Sequence, residues 1–430
     1  MFQTVRNAFK VADLRKKILY TILIIIIFRL GSAITVPFLD PSVLKSIVTS
    51  DNSFLGYFNV LTGGGLEKAT IFAMSITPYI NASIIVQLLT VAIPYLERLQ
   101  KEGEVGRKKL GKITRYLTFV LALIQAVGFF FLLKSNNAVE YSTGWEVWFT
   151  GIIIVAAFTA GSCLIVWLGE RITQKGIGNG ISVILFAGII SRAPQAFSTL
   201  KSMWELGGQG QWQNYIYVPL IVVIFIAMII FIIVMTNAER RIPVMYAKRV
   251  VGRKMYGGQN SHIPVKVSMS GVMPIIFATS ILSIPSLIAQ FVNVQEGFWL
   301  HFFQVFRYDS WGYAILYFVL IIAFNFFYIA IQYNPIEIAN NLRKNNGAIP
   351  GIRPGKPTSD FISRVIWKIA MLGAVFLGII AVFPIFFQMA TGAQIALGGT
   401  SIIIIVSVAL DTMRALESQL TMRKHKGFLE

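Results

Sequence analysis

Apolar runs of roughly 20 residues recur along this chain, each long enough to cross about 30 Å of hydrocarbon as a helix. Ten are read, at 18–37, 75–94, 114–133, 149–169, 181–199, 215–236, 271–291, 312–333, 366–387 and 398–416. Only 13% of residues are charged and the mean hydropathy is +0.68, whereas a soluble protein carries about a quarter charged residues. The expected fold class is therefore an all-α polytopic membrane protein with ten transmembrane helices. Polar, basic residues 1–17 and the lack of a small-residue cleavage site give no reason to expect a cleaved signal. The single cysteine, Cys163, excludes an intramolecular disulfide framework and reads as an inert buried thiol.

A net charge of +19 would suit a nucleic-acid binder, but its distribution follows topology. With loops assigned alternately to two sides, all but seven of the 38 Lys and Arg residues fall on the side of the N-terminus, span ends included. The seven are Arg29, inside the first span, and Lys45, Lys68, Lys134, Arg192, Lys201 and Arg307. The positive-inside rule then places both termini of this multi-pass chain in the cytoplasm. Ribosomal RNA, a polyanion, is still admitted as a docking surface.

A short pattern occurs twice. Pro78-Tyr79-Ile80-Asn81-Ala82-Ser83 is echoed by Pro274-Ile275-Ile276-Phe277-Ala278-Thr279, each near the start of an apolar run. The copies lie five spans apart, so they cross in opposite directions. That marks an inverted repeat, with a passage at the interface of two halves. Gly180-Ile181-Ser182-Val183-Ile184-Leu185 and Gly399-Thr400-Ser401-Ile402-Ile403-Ile404 repeat the offset, dividing the chain near residue 206 into halves 1–206 and 207–430. Ile76 and Ile80 are one helical turn apart and share a face. Ile276 is the repeat partner of Ile80, and Ile404 that of Leu185. Core packing is the default for such residues. Inverted symmetry would instead gather them at the midplane as an apolar collar, which blocks ions by dewetting. Asn81 and Gln87 suit a seam between helices or ordinary interhelical hydrogen bonding equally well.

Residues 1–17 carry Phe2, Val5, Phe9 and Leu14 among basic residues, the pattern of an amphipathic helix on a membrane surface. Between the first two spans, Phe54 to Ala73 reads as a short weak helix broken by Gly63-Gly64-Gly65. Composition admits an interfacial re-entrant segment and a movable stopper alike. Two basic loops, 237–270 and 334–365, are long enough to carry function. The first suggests a hairpin around Val250–Gly258. In the second, Ile349-Pro350-Gly351-Ile352-Arg353-Pro354-Gly355 holds one arginine on a stiff turn, suited to a partner contact.

Catalytic and ion-coupled chemistry find little support. Asp411 and Glu417 lie at one end of the tenth span and Glu170 at the end of the fourth, so an ion-coupled transporter, the main rival reading, lacks midspan charges. A purely structural scaffold would not need matched midplane positions in both halves. His262, His301 and His425 lack metal-ligand spacing, and no phosphate-binding Gly-x-x-x-x-Gly-Lys-(Ser/Thr) occurs. Gly176-Ile177-Gly178-Asn179-Gly180 has no strand before it and reads as a tight turn with close helix packing. No cofactor, metal or enzyme activity is expected.

Several stretches are specific enough to compare with known families: Phe28-Arg29-Leu30-Gly31, Thr62-Gly63-Gly64-Gly65-Leu66, Ile76-Thr77-Pro78-Tyr79-Ile80-Asn81-Ala82-Ser83-Ile84-Ile85 and Glu102-Gly103-Glu104-Val105-Gly106-Arg107-Lys108-Lys109. Others are Trp167-Leu168-Gly169-Glu170, the Gly176–Ser182 turn, Tyr246-Ala247-Lys248-Arg249, His262-Ile263-Pro264-Val265-Lys266-Val267, the Ile349–Gly355 turn and Gly398-Gly399-Thr400-Ser401. By these stretches the chain resembles SecY, the central subunit of the protein-conducting channel, in its bacterial form. The resemblance implies two clamshell halves of five helices, hinged between spans 5 and 6, in the cytoplasmic membrane. It implies a pore ring of Ile76, Ile80, Ile181 or Leu185, Ile276 and Ile404, and a plug at about 56–70 that includes Leu61, Thr62, Gly63, Gly64, Gly65 and Leu66. A lateral gate would lie between spans 2–3 and 7–8, with Asn81, Gln87, Thr279 and Ser283 at it. Arg240, Arg241, Lys248, Arg249, Arg253, Lys254, Arg353 and Lys356 would dock the ribosome or the ATPase SecA, Arg353 foremost. SecE and SecG would be partner subunits; signal sequences and nascent polypeptides would be the cargo, and membrane lipid would receive apolar segments. Leu185 replaces the commoner isoleucine, and Asn81 stands where serine or threonine is frequent.

Overall fold

The computed structural model describes residues 2–49, 59, 62–141, 144–208, 212–246, 249–251, 254–256, 260–291, 298–306, 310–391 and 399–426. Helices α1 (Phe2–Lys10), α2 (Ala12–Gly31) and α3 (Pro41–Thr49) come first. Then follow α4 (Thr77–Ala92), α5 (Pro94–Lys101), α6 (Glu104–Ser135), α7 (Glu146–Lys175), α8 (Gly180–Ile190), α9 (Ala193–Gly208) and α10 (Asn214–Asn237). Strands β1 (Glu239–Tyr246), β2 (Arg249–Val251), β3 (Lys254–Tyr256) and β4 (Asn260–Lys266) precede α11 (Met273–Phe291), α12 (Phe298–Val305), α13 (Trp311–Gln332) and α14 (Pro335–Lys344). Strand β5 (Gly347–Ala348), α15 (Lys356–Thr391) and α16 (Gly399–Lys426) complete the described chain.

Each of the ten expected spans falls on a helix: α2, α4, α6, α7, α8–α9, α10, α11, α13, α15 and α16. Among the described residues, six helical segments are long and apolar enough to cross a membrane, α8 and α9 counted together as one, or seven if the bent α4–α5 pair is one span. Helix α2 carries Arg15, Lys16, Lys17 and Arg29, and the second half of α16 is charged; of α11 the described apolar part is Met273–Pro285. The 102° bend between α4 and α5 comes from Pro94, which holds Ile93 extended at φ −109°, ψ 112°.

The helices pack as two similar groups. In the first, α4 packs on α6, α6 on α7, α7 on α8, and α2 on α7 and α8. In the second, α11 packs on α13, α13 on α15, α15 on α16, and α10 on α15 and α16. Shifting every span number by five converts the first set into the second. An α11–α15 contact adds to the second group, and α8 against α16 joins the two. The turn Gly176–Gly180 makes the α7–α8 crossing tight. Asn179 caps α8 by accepting from the Ile181 N–H, and Gly178 has φ +73°. A Cβ on Gly180 would lie 1.9 Å from the Gly169 carbonyl. Close packing, not nucleotide binding, explains those glycines.

The all-α polytopic reading holds, and a sheet of order β4-β1-β5 and a β2–β3 hairpin occupy the long loops, the hairpin falling where it was expected. Two expectations need correction. Residues 62–76 form turns instead of the expected broken helix: Gly63, Gly64, Ala69 and Ser75 have φ of +67°, +84°, +52° and +49°, outside the right-handed helical region, and Thr70 bridges to Thr35. The expected amphipathic 1–17 helix is two pieces. Ala8 of α1 and Leu14 of α2 are buried with Ile177 and Leu416, and Thr4 donates to Glu417.

Candidate functional site

The repeat governs local geometry as well as sequence. Pro78 and Pro274 are each the second residue of their helices, α4 and α11, and Ile80 and Ile276 each the fourth. Ser75 and Gly271, three residues before each proline, both have positive φ, +49° and +61°. Gly180 and Gly399 are each the first residue of α8 and α16, and Leu185 and Ile404 each the sixth. Proline at a helix start loses no intrahelical hydrogen bond, so each copy launches its helix in the same way and presents its isoleucine at the same height.

A cavity of about 1140 Å³, open mouth included, lies where the two groups meet. Ile80, Ile181, Leu185, Ile276 and Ile404 all line it. Ile76 does not; it is 1% exposed and belongs to the packed cluster beneath, with Phe72, Leu185 and Ile404. Val272, Phe277 and Val408 also line the wall. The repeat could have pointed to Phe277, partner of Asn81. Polar residues occupy another part of the lining: Arg115 on α6 pairs with Glu170 on α7 at 2.7 Å, beside Thr173, Gln174 and Asn179. Among the described residues α4 and α11 make no extended packing seam with each other, although both line the cavity. Asn81, Gln87, Thr279 and Ser283 are half-buried on these helices and do not line the cavity; Ser83, the repeat partner of Thr279, does.

Along α8, beyond Leu185 by three residues or about 4.5 Å of helix rise, Gly188 meets the turn segment. A Cβ on Gly63 would lie 2.8 Å from both the Gly188 carbonyl and the Ser191 hydroxyl. The Gly63 carbonyl accepts from Arg29 of α2 at 3.4 Å and from Ser191 at 3.5 Å. On the other side, Gly161 of α7 leaves room for the Ile71 backbone, since a Cβ there would lie 2.1 Å from the Ile71 carbonyl. Thr62, Gly65 and Leu66 are buried, and Gly63 and Gly64 half-buried. Leu61 lies outside the described residues, as do most of 56–61.

The two basic loops form one body. Strand β1 pairs antiparallel with β4 and, through Met245–Tyr246, with β5 of the second loop. Ile242, Val244, Ile349 and Ile362 pack beneath, with Ile352 against them. Gly351 and Gly355, at φ +79° and +107°, turn the chain so that Arg353 is exposed. Its guanidinium has no partner among the described residues, while its carbonyl accepts from Thr358 at 2.8 Å. Arg240 and Lys356 are exposed, and Arg241 pairs with Glu239 at 2.8 Å. The side chains of Arg249 and Lys254, and all of Lys248 and Arg253, lie outside the described residues. Among the described residues no three His, Cys, Asp or Glu side chains come together to hold a metal.

The sequence pattern of the SecY family matches residues 70–413. Protein translocase subunit SecY of Streptomyces galbus is 42% identical over 442 residues, covering all of both chains. That of Halalkalibacterium halodurans is 41% identical, again over all of both, and that of Thermotoga maritima 40%, over 100% of this chain and 98% of its own. The fold is like that of a solved structure described as "The structure of a protein conducting channel", with TM-score 0.64 and 17% identity over 94% of this chain and 92% of the other. It is also like "Sec61 in the Canine ribosome-channel complex from the endoplasmic reticulum", with TM-score 0.60 and 16% identity over the same shares. A match over most of the length, on top of relatives at 40–42% identity over nearly their whole length, settles the affiliation: the chain belongs to the SecY family.

Proposed function

We propose that this chain is the channel subunit of a protein translocase in the cytoplasmic membrane, with both termini in the cytoplasm. It passes unfolded secretory polypeptides outward and releases apolar segments sideways into lipid. The carrying observation is that matched positions of both repeat copies, Ile80 with Ile276 and Leu185 with Ile404, line one cavity. These residues, with Ile181, form an apolar collar; Ile76 backs it from below. An apolar constriction dewets and excludes ions, while flexible side chains part for a larger passenger. Segment 62–70 is the plug that seals the collar from the far side. The halves 1–206 and 207–430 open about the α9–α10 connection, where Trp204 meets Tyr215 edge-on at 4.8 Å. Chains leave sideways between α4 and α11, near Asn81, Gln87, Thr279 and Ser283.

The sheet body docks the source of energy, the ATPase SecA or a translating ribosome, through Arg240, Arg241, Lys248, Arg249, Arg253, Lys254, Arg353 and Lys356. SecE and SecG complete the complex, and the chain itself does no catalytic chemistry. The named translocase relatives and the collar geometry support this reading together. The test is reconstitution of the complex into vesicles with SecA, ATP and a signal-bearing precursor. Protease-protected precursor is the expected result; none, with all components folded and assembled, overturns the assignment.

A further inference from the structure

Two charged residues, distant in sequence, meet at the turn segment. Glu67 lies in the 62–70 turns, and Arg192 lies in the break between α8 and α9. Their side chains approach to 3.7 Å while only 16% and 12% exposed. No other described ion pair is enclosed on both sides; the next, Arg115–Glu170, is 52% and 23% exposed. Each partner is also held in place. Asn59 donates to the Glu67 carboxylate at 3.2 Å and accepts from the Glu67 N–H at 3.1 Å. Arg192 donates through Nε and Nη2 to Gln195, at 3.0 and 2.8 Å. Arg192 thus belongs to the helical frame and Glu67 to the segment seated against it.

We propose that the Glu67–Arg192 pair determines signal stringency: it sets how strongly cargo must bind before the segment unseats. The inference rests on the plug reading above. When the segment leaves, Glu67 leaves with it and Arg192 stays. Removing either charge leaves the other enclosed without its counter-ion, which destabilises the seated state. A ligand can shift such an equilibrium only by its differential affinity for the two states. A less stable seat therefore lets weaker signals open the channel and lets ions pass without any signal. Arg29 and Ser191 grip only the Gly63 carbonyl, a backbone group that any sequence supplies. Leu66 and Ala69 add apolar packing, and among the described residues the ion pair is the one polar contact between segment and helices in which both partners are charged side chains.

The test uses the complete translocase complex in vesicles, reading ion leak and SecA-driven import of a signal-defective precursor. Glu67→Gln and Arg192→Gln should each raise the leak about tenfold and admit the defective precursor, with normal-signal import unchanged. The double swap E67R/R192E should return both readouts towards the parent, because the Asn59 and Gln195 amides each offer a donor and an acceptor. A variant lacking 56–70 separates the two ideas. If it leaks while both single variants are as tight as the parent, the ion-pair proposal fails and the plug reading stands. A swap as leaky as the singles also overturns the proposal, and a tight deletion variant overturns both. Should Arg192→Gln fail to assemble, Glu67→Gln decides alone, since the glutamine carbonyl keeps the Asn59 hydrogen bond.

Discussion

Ile276 and Ile404 reach the cavity from the second helix group, Ile80 and Leu185 from the first, and none carries a polar atom on its side chain. An amide introduced into this collar would be left without a fixed partner, costing about 1–3 kcal/mol, and would draw in water. Ile276→Asn and Ile404→Asn should each increase export of a signal-defective precursor in a cell-based assay; export no greater than the parent's would remove these residues from the seal. Gly161 is a different kind of residue-scale constraint, set by the Ile71 carbonyl 2.1 Å from its would-be Cβ. Gly161→Ala should destabilise the protein by about 1–3 kcal/mol, as overpacking does, and loosen the turn segment. Gly111→Ala, where a Cβ meets nothing within 4 Å, is the control in a thermal unfolding series. That Ile80, Leu185, Ile276 and Ile404 share one cavity was legible because the repeat is local and its residue types are unmistakable. The Glu67–Arg192 contact was not, since it joins positions 125 apart (67 to 192): Glu67 reads as one charge of the segment between the first two spans, and Arg192 as a lone cation within the fifth apolar run.

Individual elements divide in the same way. The hairpin β2–β3 and the stiff turn around Arg353 follow from glycine and proline placement over a few residues. Strand β5 is only two residues long, and its pairing with Met245 and Tyr246 unites two loops that sequence treats as separate. The break at 191–192 divides what reads as one apolar run into α8 and α9, and the turn segment imitates a weak helix by composition alone. Within the united sheet body, Ile349 and Ile352 fasten the loop to β1 and leave Arg353 outward. Arg353→Glu should therefore abolish most SecA-driven import while leaving thermal stability unchanged. Ile349→Ala removes a buried anchor and should do the reverse first, lowering stability by about 2–4 kcal/mol. Normal import by the Arg353 variant would take that residue out of the docking role.

At the scale of the whole molecule, the two helix groups are joined along α8–α16 and across α9–α10, while α4 and α11 face one cavity without an extended seam. On the proposed function, two bodies fastened on one side and without an extended seam on the other, among the described residues, would open like a hinge, and the free side is where an apolar segment would meet lipid. On that reading lateral release depends on separating α4 from α11, whatever happens at the collar. Ser83 and Phe277 line the cavity from these two helices. With Cys163 replaced by serine, Ser83→Cys combined with Phe277→Cys and a short, reducible crosslinker should block membrane insertion of an apolar segment. Reduction should restore it, and a longer linker should restore it without reduction, because the wall then parts far enough. Each single-cysteine variant treated with the same reagent should insert normally. If the short crosslink forms in full and insertion continues at the parent's rate, the exit lies on another side of the molecule.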